Sequence, residues 1–164
     1  MKWIFVIALA MGMYIAQAAQ YTQPLKRGSF KEIVEAHAGK PFIVALWSVS
    51  CTHCSTDLEI FERLGKKYAG FTLVLIATDS PEQETEIRST LNKYHLGQTE
   101  AKRQGKVESW VFADSYTERL RFEIDKQWYG ELPRTYFYDA NGKPTAISGV
   151  LDEEKTERWV NAKP

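Results

Sequence analysis

Two apolar runs stand out in the otherwise mixed chain. Residues 42–47 and residues 71–77 have strand length and are almost continuously apolar, a pattern typical of strands buried on both faces of a sheet. Between them, residues 51–68 show apolar positions at helical spacing and are followed by Gly70, which predicts a long amphipathic helix. The apolar positions are Leu58, Phe61, Leu64 and Tyr68. This strand–helix–strand order predicts two parallel strands in one sheet.

Weaker patterns predict the other elements. Helices are expected at residues 29–37, from Ser80-Pro81 to Gly97, at residues 117–128 and after the capping residue Asp152. Strands are expected at residues 110–113, 134–139 and 145–150, the last two joined as a hairpin at Asn141-Gly142, with a loop at residues 98–106. The alternation predicts a single α/β domain with a central mixed sheet, mainly parallel, flanked by helices.

The first twenty residues differ from the rest. Lys2 precedes an apolar run at residues 3–15, and Ala16-Gln17-Ala18 then resembles a small-x-small cleavage site. Because the run is shorter than the roughly 18–20 residues of a membrane span, we predict that residues 1–18 are a cleaved signal peptide. An uncleaved N-terminal membrane anchor is the alternative. In both cases we expect residues 19–164 to fold outside the cytoplasm, in a periplasm or as an otherwise exported domain.

Composition narrows the classes of partner. The 164 residues are 44% apolar, as expected of one globular domain with a proper core. Lys and Arg number 21, and Asp and Glu number 21, so the formal net charge is zero. This balance, together with the absence of a basic run, argues against nucleic acid or an anionic membrane surface as a partner. A protein or a small molecule is the better expectation.

The only two cysteines are Cys51 and Cys54. A bridge between them would close too small a loop to stabilise an exported domain substantially, so a chemical role is favoured. A thiol exchanges with a disulfide as its thiolate, and Cys51 falls after a buried strand at the predicted first turn of a helix, where unpaired N–H groups favour an anion. We therefore expect an exposed, nucleophilic Cys51 and a buried Cys54 that resolves the mixed disulfide.

His53 and the other histidines bear on the alternatives. An imidazolium at His53 would stabilise the Cys51 thiolate and raise the reduction potential, although a surface histidine without a partner is the simpler interpretation. A structural metal site needs four ligands, whereas the chain has no second cysteine pair and only His37 and His95 as further histidines, so we expect no metal. Haem attachment needs a histidine where Ser55 stands. Copper shuttling is a minor alternative.

Two segments resemble one family. Residues 47–54, from Trp47 to Cys54, resemble the W-x-x-x-C-x-x-C signature of thioredoxin-like proteins, and residues 132–143 resemble the P-x-T-x-x-x-D-x-x-G segment of TlpA/ResA-type thiol–disulfide oxidoreductases. The resemblance extends from about Ser29 to the C-terminus and implies a thioredoxin-like fold. It also implies that Pro133 is a cis-proline facing the cysteines and that the backbone of Leu132 pairs with an extended substrate. Trp47, Thr52 and His53 would be the neighbours of the cysteines, although Trp47 is equally expected as a core residue.

The chain departs from the family pattern at one chemically important position. Thioredoxins have a buried acid six residues before the first cysteine, and this chain has Ala45 there. Proton transfer from Cys54 must then use another group or water. Glu131, close to Pro133 in sequence, is a candidate proton relay, with a solvated loop glutamate as the alternative.

The cysteine pair and the N-terminal segment predict an exported thiol–disulfide oxidoreductase, and the family resemblance implies that it reduces protein disulfides. The resemblance extends this to cytochrome c maturation, with protein disulfides and thiols as substrates. No G-x-G-x-x-G motif for a nicotinamide or flavin is present, so a membrane thiol-relay protein is expected as electron donor, and the Cys51–Cys54 disulfide as the only redox group. A disulfide oxidase or isomerase is the alternative within this chemistry. A thioredoxin-fold module that binds a peptide or copper is the alternative outside it, and the sequence leaves the oligomeric state open.

Overall fold

A six-stranded mixed sheet forms the centre of the protein, whose computed structural model describes residues 21–97 and 104–162. The strands are β1 (Gln23–Leu25), β2 (Phe42–Trp47), β3 (Thr72–Ala77), β4 (Lys106–Phe112), β5 (Arg134–Tyr138) and β6 (Pro144–Ser148). The helices are α1 (Ser29–Ala36), α2 (Cys54–Lys67), α3 (Glu84–Lys93), α4 (Thr117–Ile124) and α5 (Glu153–Asn161), with a 3-10 turn at Pro81–Gln83 before α3. The predicted signal peptide and most of the predicted loop at 98–106 lie outside the described residues.

The strand order is β1-β4-β3-β2-β5-β6. Strands β1 to β4 pair in parallel, whereas β5 runs antiparallel to both β2 and β6. The predicted class, an α/β fold with a central mixed sheet flanked by helices, is therefore confirmed. Because the strands β2, β3 and β4 are parallel, their carboxyl ends meet at one edge of the sheet, where the amino end of β5 also lies.

The sheet has a hydrophobic core on each face. Successive residues of a strand point to opposite faces, so Ile43, Ala45 and Trp47 of β2 join one core and the intervening Phe42, Val44 and Leu46 join the other. The first core is completed by apolar residues of α2 and α3 and by Trp159 of α5, and the second by residues of α1 and α4. Among the described residues, no helix is long and apolar enough to span a bilayer.

Several boundaries differ from the prediction. Strand β1 was not predicted, because three residues including Gln23 and Pro24 give no periodic signal. Helix α4 ends at Ile124 instead of residue 128, since Asp125 leaves the helix and its carboxylate accepts hydrogen bonds from Gln127 N and from Arg134 Nη2. Sequence patterns report burial and propensity, whereas these hydrogen bonds of the Asp125 side chain leave no periodic signal in the sequence.

Candidate active site

Cys51 and Cys54 form a disulfide at the carboxyl edge of the sheet, with their Cα atoms 5.4 Å apart. Cys51 follows β2 by four residues and is partly exposed, whereas Cys54 is the first residue of α2 and only 1% exposed. The two sulfur atoms are therefore unequally accessible. A substrate thiol or thiolate can approach Cys51 from solvent, and Cys54 can be reached only from within the protein.

Helix α2 begins at Cys54, three residues later than the sequence predicts. Residues 51–53 form a turn instead, in which the backbone N–H of Cys54 donates to Cys51 O and to Cys51 Sγ, both at 3.2 Å. The Cys51 sulfur thus lies directly at the helix N-terminus and accepts the first N–H group of the helix. Both the hydrogen bond and the partial positive charge of this end favour a thiolate at Cys51.

A carboxylate from the neighbouring strand fixes the segment before Cys51. Asp79 follows β3 and is 9% exposed. One of its oxygens accepts from Ser48 Oγ at 2.8 Å, and the other accepts from the backbone N–H of Val49 at 3.1 Å. Ser48 Oγ in turn accepts from the backbone N–H of Ser50 at 3.1 Å. Asp79 thereby determines the path of the chain from the end of β2 to the nucleophilic cysteine.

We expect the substitution Asp79→Ala to lower the free energy of unfolding by about 2–3 kcal/mol, because it removes two hydrogen bonds to a buried charged group. Urea denaturation of the reduced and oxidised protein measures this. The substitution Asp79→Asn keeps an acceptor for one of the two donors and should lose less. Equal stability of Asp79→Ala and the wild type would show that Asp79 does not hold this segment.

The Leu132–Pro133 segment directly precedes β5, at the edge of the sheet from which the cysteine segment leaves β2. The peptide bond between the two residues is cis, the conformation that the family resemblance implies. The register pairs Leu46 of β2 with Arg134 of β5, so Pro133 lies at the level of Trp47, at the same edge from which the cysteine segment leaves β2. No hydrogen bond among residues 21–97 and 104–162 uses the backbone N–H or C=O of Leu132. This backbone is consequently free to pair with another strand.

A buried carboxyl group that the sequence analysis missed lies one helical turn after Cys54. Asp57 is 3% exposed and sits in α2 on the side that packs against the core. One oxygen accepts from the backbone N–H of Leu151 at 2.9 Å, and the other has no hydrogen-bond partner among the described residues. Burial raises the pKa of Asp57 from 3.8 to about 6, and the Leu151 hydrogen bond offsets only part of this. Asp57 can therefore gain and lose a proton near neutral pH.

Solved structures with the same architecture are known. A secreted disulfide oxidoreductase of Mycobacterium tuberculosis, homologous to DsbE of E. coli, is 17% identical with a TM-score of 0.55, covering 79% of this chain and 86% of that chain. DsbF of MTB is 20% identical, with a TM-score of 0.56 and coverages of 78% and 84%. A thioredoxin-family thiol:disulfide interchange protein of Chlorobium tepidum is 23% identical, with a TM-score of 0.55 and coverages of 77% and 81%. The fold is thioredoxin-like.

No protein-family model and no curated protein matches the sequence. The TM-scores of 0.55–0.56 show the thioredoxin-like fold. Because the identities are only 17–23%, the chemistry is argued from the residues themselves. In this fold the parts described above occupy one edge of the sheet: the Cys51–Cys54 pair, the Leu132–Pro133 segment and the carboxyl groups of Asp57 and Asp79.

The other residues that were predicted to lie beside the cysteines differ in their burial. Trp47 is 3% exposed, belongs to the core beside α2 and also lines a cavity next to the two cysteines. It is thus a core residue and a neighbour of the site at once. Thr52 and His53 are exposed in the turn between the cysteines, and His53 occupies the N-cap position of α2 without a capping hydrogen bond from its side chain.

Glu131 is exposed and bound to the hairpin. Its carboxylate accepts from Ser148 Oγ at 2.8 Å and from the backbone N–H of Tyr129 at 3.1 Å, and it lies 3.6 Å from Arg134 Nη1. Partial burial raises the pKa of this carboxyl group, but the hydrogen bonds and the charge of Arg134 outweigh that effect and leave its pKa below the usual value. These contacts suit a residue that anchors the loop before Pro133 better than a proton relay.

The remaining histidines, His37 and His95, each lie close to a glutamate. His37 ends α1, is buried against Phe42 with ring centroids 4.7 Å apart, and lies 3.6 Å from Glu108 Oε1. The Nδ1 atom of His95 is 2.8 Å from Glu62 Oε1. Within the part of the chain that the structure describes, no group of three or more His, Cys, Asp and Glu side chains is arranged to hold a metal ion.

Proposed function

We propose that this chain is an exported thiol–disulfide oxidoreductase that reduces disulfides of protein substrates. The observation that carries the proposal is the asymmetric pair at the start of α2: a partly exposed Cys51 whose sulfur accepts the first helical N–H, bonded to a buried Cys54. A disulfide of this kind closes too short a loop to serve stability, and its environment favours the thiolate that exchange requires.

The reduced protein would act in two exchange steps. The Cys51 thiolate attacks one sulfur of the substrate disulfide, forms a mixed disulfide and releases the first substrate thiolate. The Cys54 thiolate then attacks Cys51 Sγ, which releases the second substrate thiolate and leaves the Cys51–Cys54 disulfide. Two electrons pass from the protein to the substrate, and the two released thiolates take up protons.

Asp57 supplies the acid–base group for the second step. Cys54 must lose its proton inside the protein, and residues three apart on a helix face the same side at about 5–6 Å between Cβ atoms. A carboxyl group at that spacing, with one oxygen unpartnered and a pKa of about 6, can accept this proton directly or through one water. This assignment replaces Glu131 as the proton relay in the proposal.

The Leu132 backbone gives the site a means of holding an extended peptide. Its N–H and C=O lie next to the edge where Cys51 opens to solvent, and the described part of the chain provides no partner for them. An added strand gains affinity from main-chain hydrogen bonds that are independent of sequence. This supports protein segments as substrates, presented so that their disulfide reaches Cys51.

The location and the electron donor follow from the N-terminal segment and the family resemblance. The sequence of residues 1–18 suits an export signal. One structural neighbour is described as secreted and as homologous to DsbE, which accords with a site outside the cytoplasm. We propose that a membrane thiol-relay protein keeps the pair reduced and that apocytochrome c cysteines are among the substrates.

The second candidate function is that of a disulfide oxidase, and the exposed His53, two residues after Cys51, favours it.

The reduction potential separates these functions. We expect titration of the purified protein against glutathione buffers to give a two-electron transition well below about −200 mV, as a reductase requires. A value close to that of the strong oxidants, about −120 mV, would instead assign disulfide donation. Absence of a reversible transition, or a bound copper ion that prevents it, would reject the oxidoreductase and favour the binding module.

A further inference from the structure

A cavity of about 310 Å³ opens beside the disulfide, on the side of the helices α2 and α3. Cys51, Cys54 and Leu58 line it from the cysteine segment and α2. Thr90, Lys93 and Tyr94 line it from the end of α3. The volume is at the lower end of the range for small-ligand sites, enough for a short side chain or a fragment of a small thiol.

The charge of this cavity comes from a single lysine. Among the described residues that line it, Lys93 is the only charged one. Its Nζ atom lies 3.3 Å from Tyr94 Oη and 4.9 Å from the centre of the Tyr94 ring, and no carboxylate of the described residues lies within 4 Å of it. Lys106, in contrast, has Glu108 Oε1 at 2.7 Å. An ammonium group held by a neutral partner retains its full charge for a ligand.

We infer that this cavity receives a carboxylate carried a few bonds from the reacting sulfur of the substrate, with Lys93 as its ionic partner. The inference rests on the proposed function, because the ligand is the group attached to the sulfur that Cys51 attacks. When the Cys51 thiolate displaces one thiolate from a disulfide, the other sulfur stays bound to Cys51, which itself lines the cavity. A carboxylate on the substituent of that sulfur gains a charge-assisted hydrogen bond when it reaches the Lys93 ammonium in the same cavity.

Three symmetric disulfides with two methylene groups between the sulfur and the terminal group test this: 3,3′-dithiodipropionate, bis(2-hydroxyethyl) disulfide and cystamine, which are anionic, neutral and cationic. Single-turnover rates of the reduced protein are measured with each. Intrinsic reactivities differ with the leaving thiol, so the compared quantity is the anionic-to-neutral rate ratio. From the usual strength of an exposed ion pair, we expect Lys93→Met to lower this ratio about three- to fivefold. Lys93→Arg keeps the positive charge and should restore the ratio. The ratio of the wild type should also fall at 0.5 M salt.

Lys126→Met is the matched control. Lys126 also lies over a neighbouring aromatic ring, that of Phe122 at 5.3 Å, but it follows α4 and is not part of the cavity. Its removal should leave the ratio as in the wild type. Two cysteine-peptide disulfides, one with Glu and one with Gln next to the cysteine, are then compared by their rate ratio. This ratio distinguishes an acidic protein segment from a small thiol as the source of the carboxylate.

The outcomes separate the two levels of the proposal. A ratio that is the same in Lys93→Met and the wild type overturns the carboxylate site while leaving the oxidoreductase intact. Failure of the reduced wild type to react with any of the three disulfides rejects the proposed function itself. A fall of the ratio in Lys93→Met that Lys126→Met does not reproduce establishes the site.

Discussion

The substitution Cys51→Ser is expected to lower disulfide reduction by more than about a thousandfold. A serine hydroxyl at this position stays protonated at neutral pH and cannot form the mixed disulfide. The remaining thiol cannot replace it, since Cys54 is 1% exposed. Insulin reduction with dithiothreitol as electron source measures the loss, and circular dichroism verifies that the fold is kept.

The substitution Cys54→Ser provides the control, because it removes the second exchange step and keeps the first. The partly exposed Cys51 still attacks, so the mixed disulfide with substrate accumulates and is detected as an added mass. If Cys51→Ser retained activity, or if the covalent adduct formed in Cys51→Ser and not in Cys54→Ser, the roles assigned to the two cysteines would be wrong.

The elements with the clearest patterns were predicted most accurately. The predicted bounds of β2 agree with the observed ones, residues 42–47. A strand that is covered on both faces is apolar along its whole length, so its ends are marked by the first polar residues. The predicted hairpin is present, with Gly142 at a φ of 76° and the Asp139 carboxylate accepting from the backbone N–H groups of Asn141 and Lys143. The Asp152 side chain caps α5, as predicted, by accepting from the backbone N–H of Lys155.

The two acidic residues of the site were missed for different reasons. Asp57 lies three residues after Cys54 and four before Phe61, so it falls on the apolar stripe of α2, and a charged residue in such a stripe is a signal that could have revealed it. Asp79 carries no such signal by itself. Its role depends on β2 and β3 ending at the same edge, which brings its carboxylate to Ser48 across 31 residues of sequence.

The choice of Glu131 shows the limit of sequence proximity as an argument. A carboxylate two residues before Pro133 was reasonable as a neighbour of the cysteines. In the structure its carboxylate accepts from Ser148 Oγ of β6 and lies 3.6 Å from Arg134 Nη1 of β5, so Glu131 connects the loop before Pro133 to both strands of the hairpin. Glu131 and Pro133 are close along the chain, but the direction of the Glu131 side chain depends on contacts that only the folded hairpin provides.

The pH dependence of stability is expected to change sharply in Asp57→Asn. The carboxyl group is desolvated, so its pKa in the folded state, about 6, exceeds the usual value of 3.8. Between these values the unfolded chain ionises while the folded protein keeps its proton, so stability falls as pH rises, with a total cost of about 3 kcal/mol at neutral pH. An asparagine cannot ionise and keeps an acceptor for Leu151 N. Relative to the wild type, the free energy of unfolding of Asp57→Asn should therefore rise by about 2–3 kcal/mol between pH 4 and pH 7.

The same variant should also be slower in the second exchange step. Without a carboxylate to take the Cys54 proton, resolution of the mixed disulfide is expected to slow about a hundredfold, within the usual range for a general base, and to lose its dependence on a group of pKa about 6. Stopped-flow measurement of the second step from pH 4.5 to 8 tests this, with Glu59→Gln on the exposed side of α2 as the control for losing a carboxylate from this helix. A variant that is stabilised at neutral pH and still resolves at the wild-type rate would make Asp57 a purely structural residue. A variant that is more stable and slower would show that the cost of burying Asp57 is maintained for its role in proton transfer.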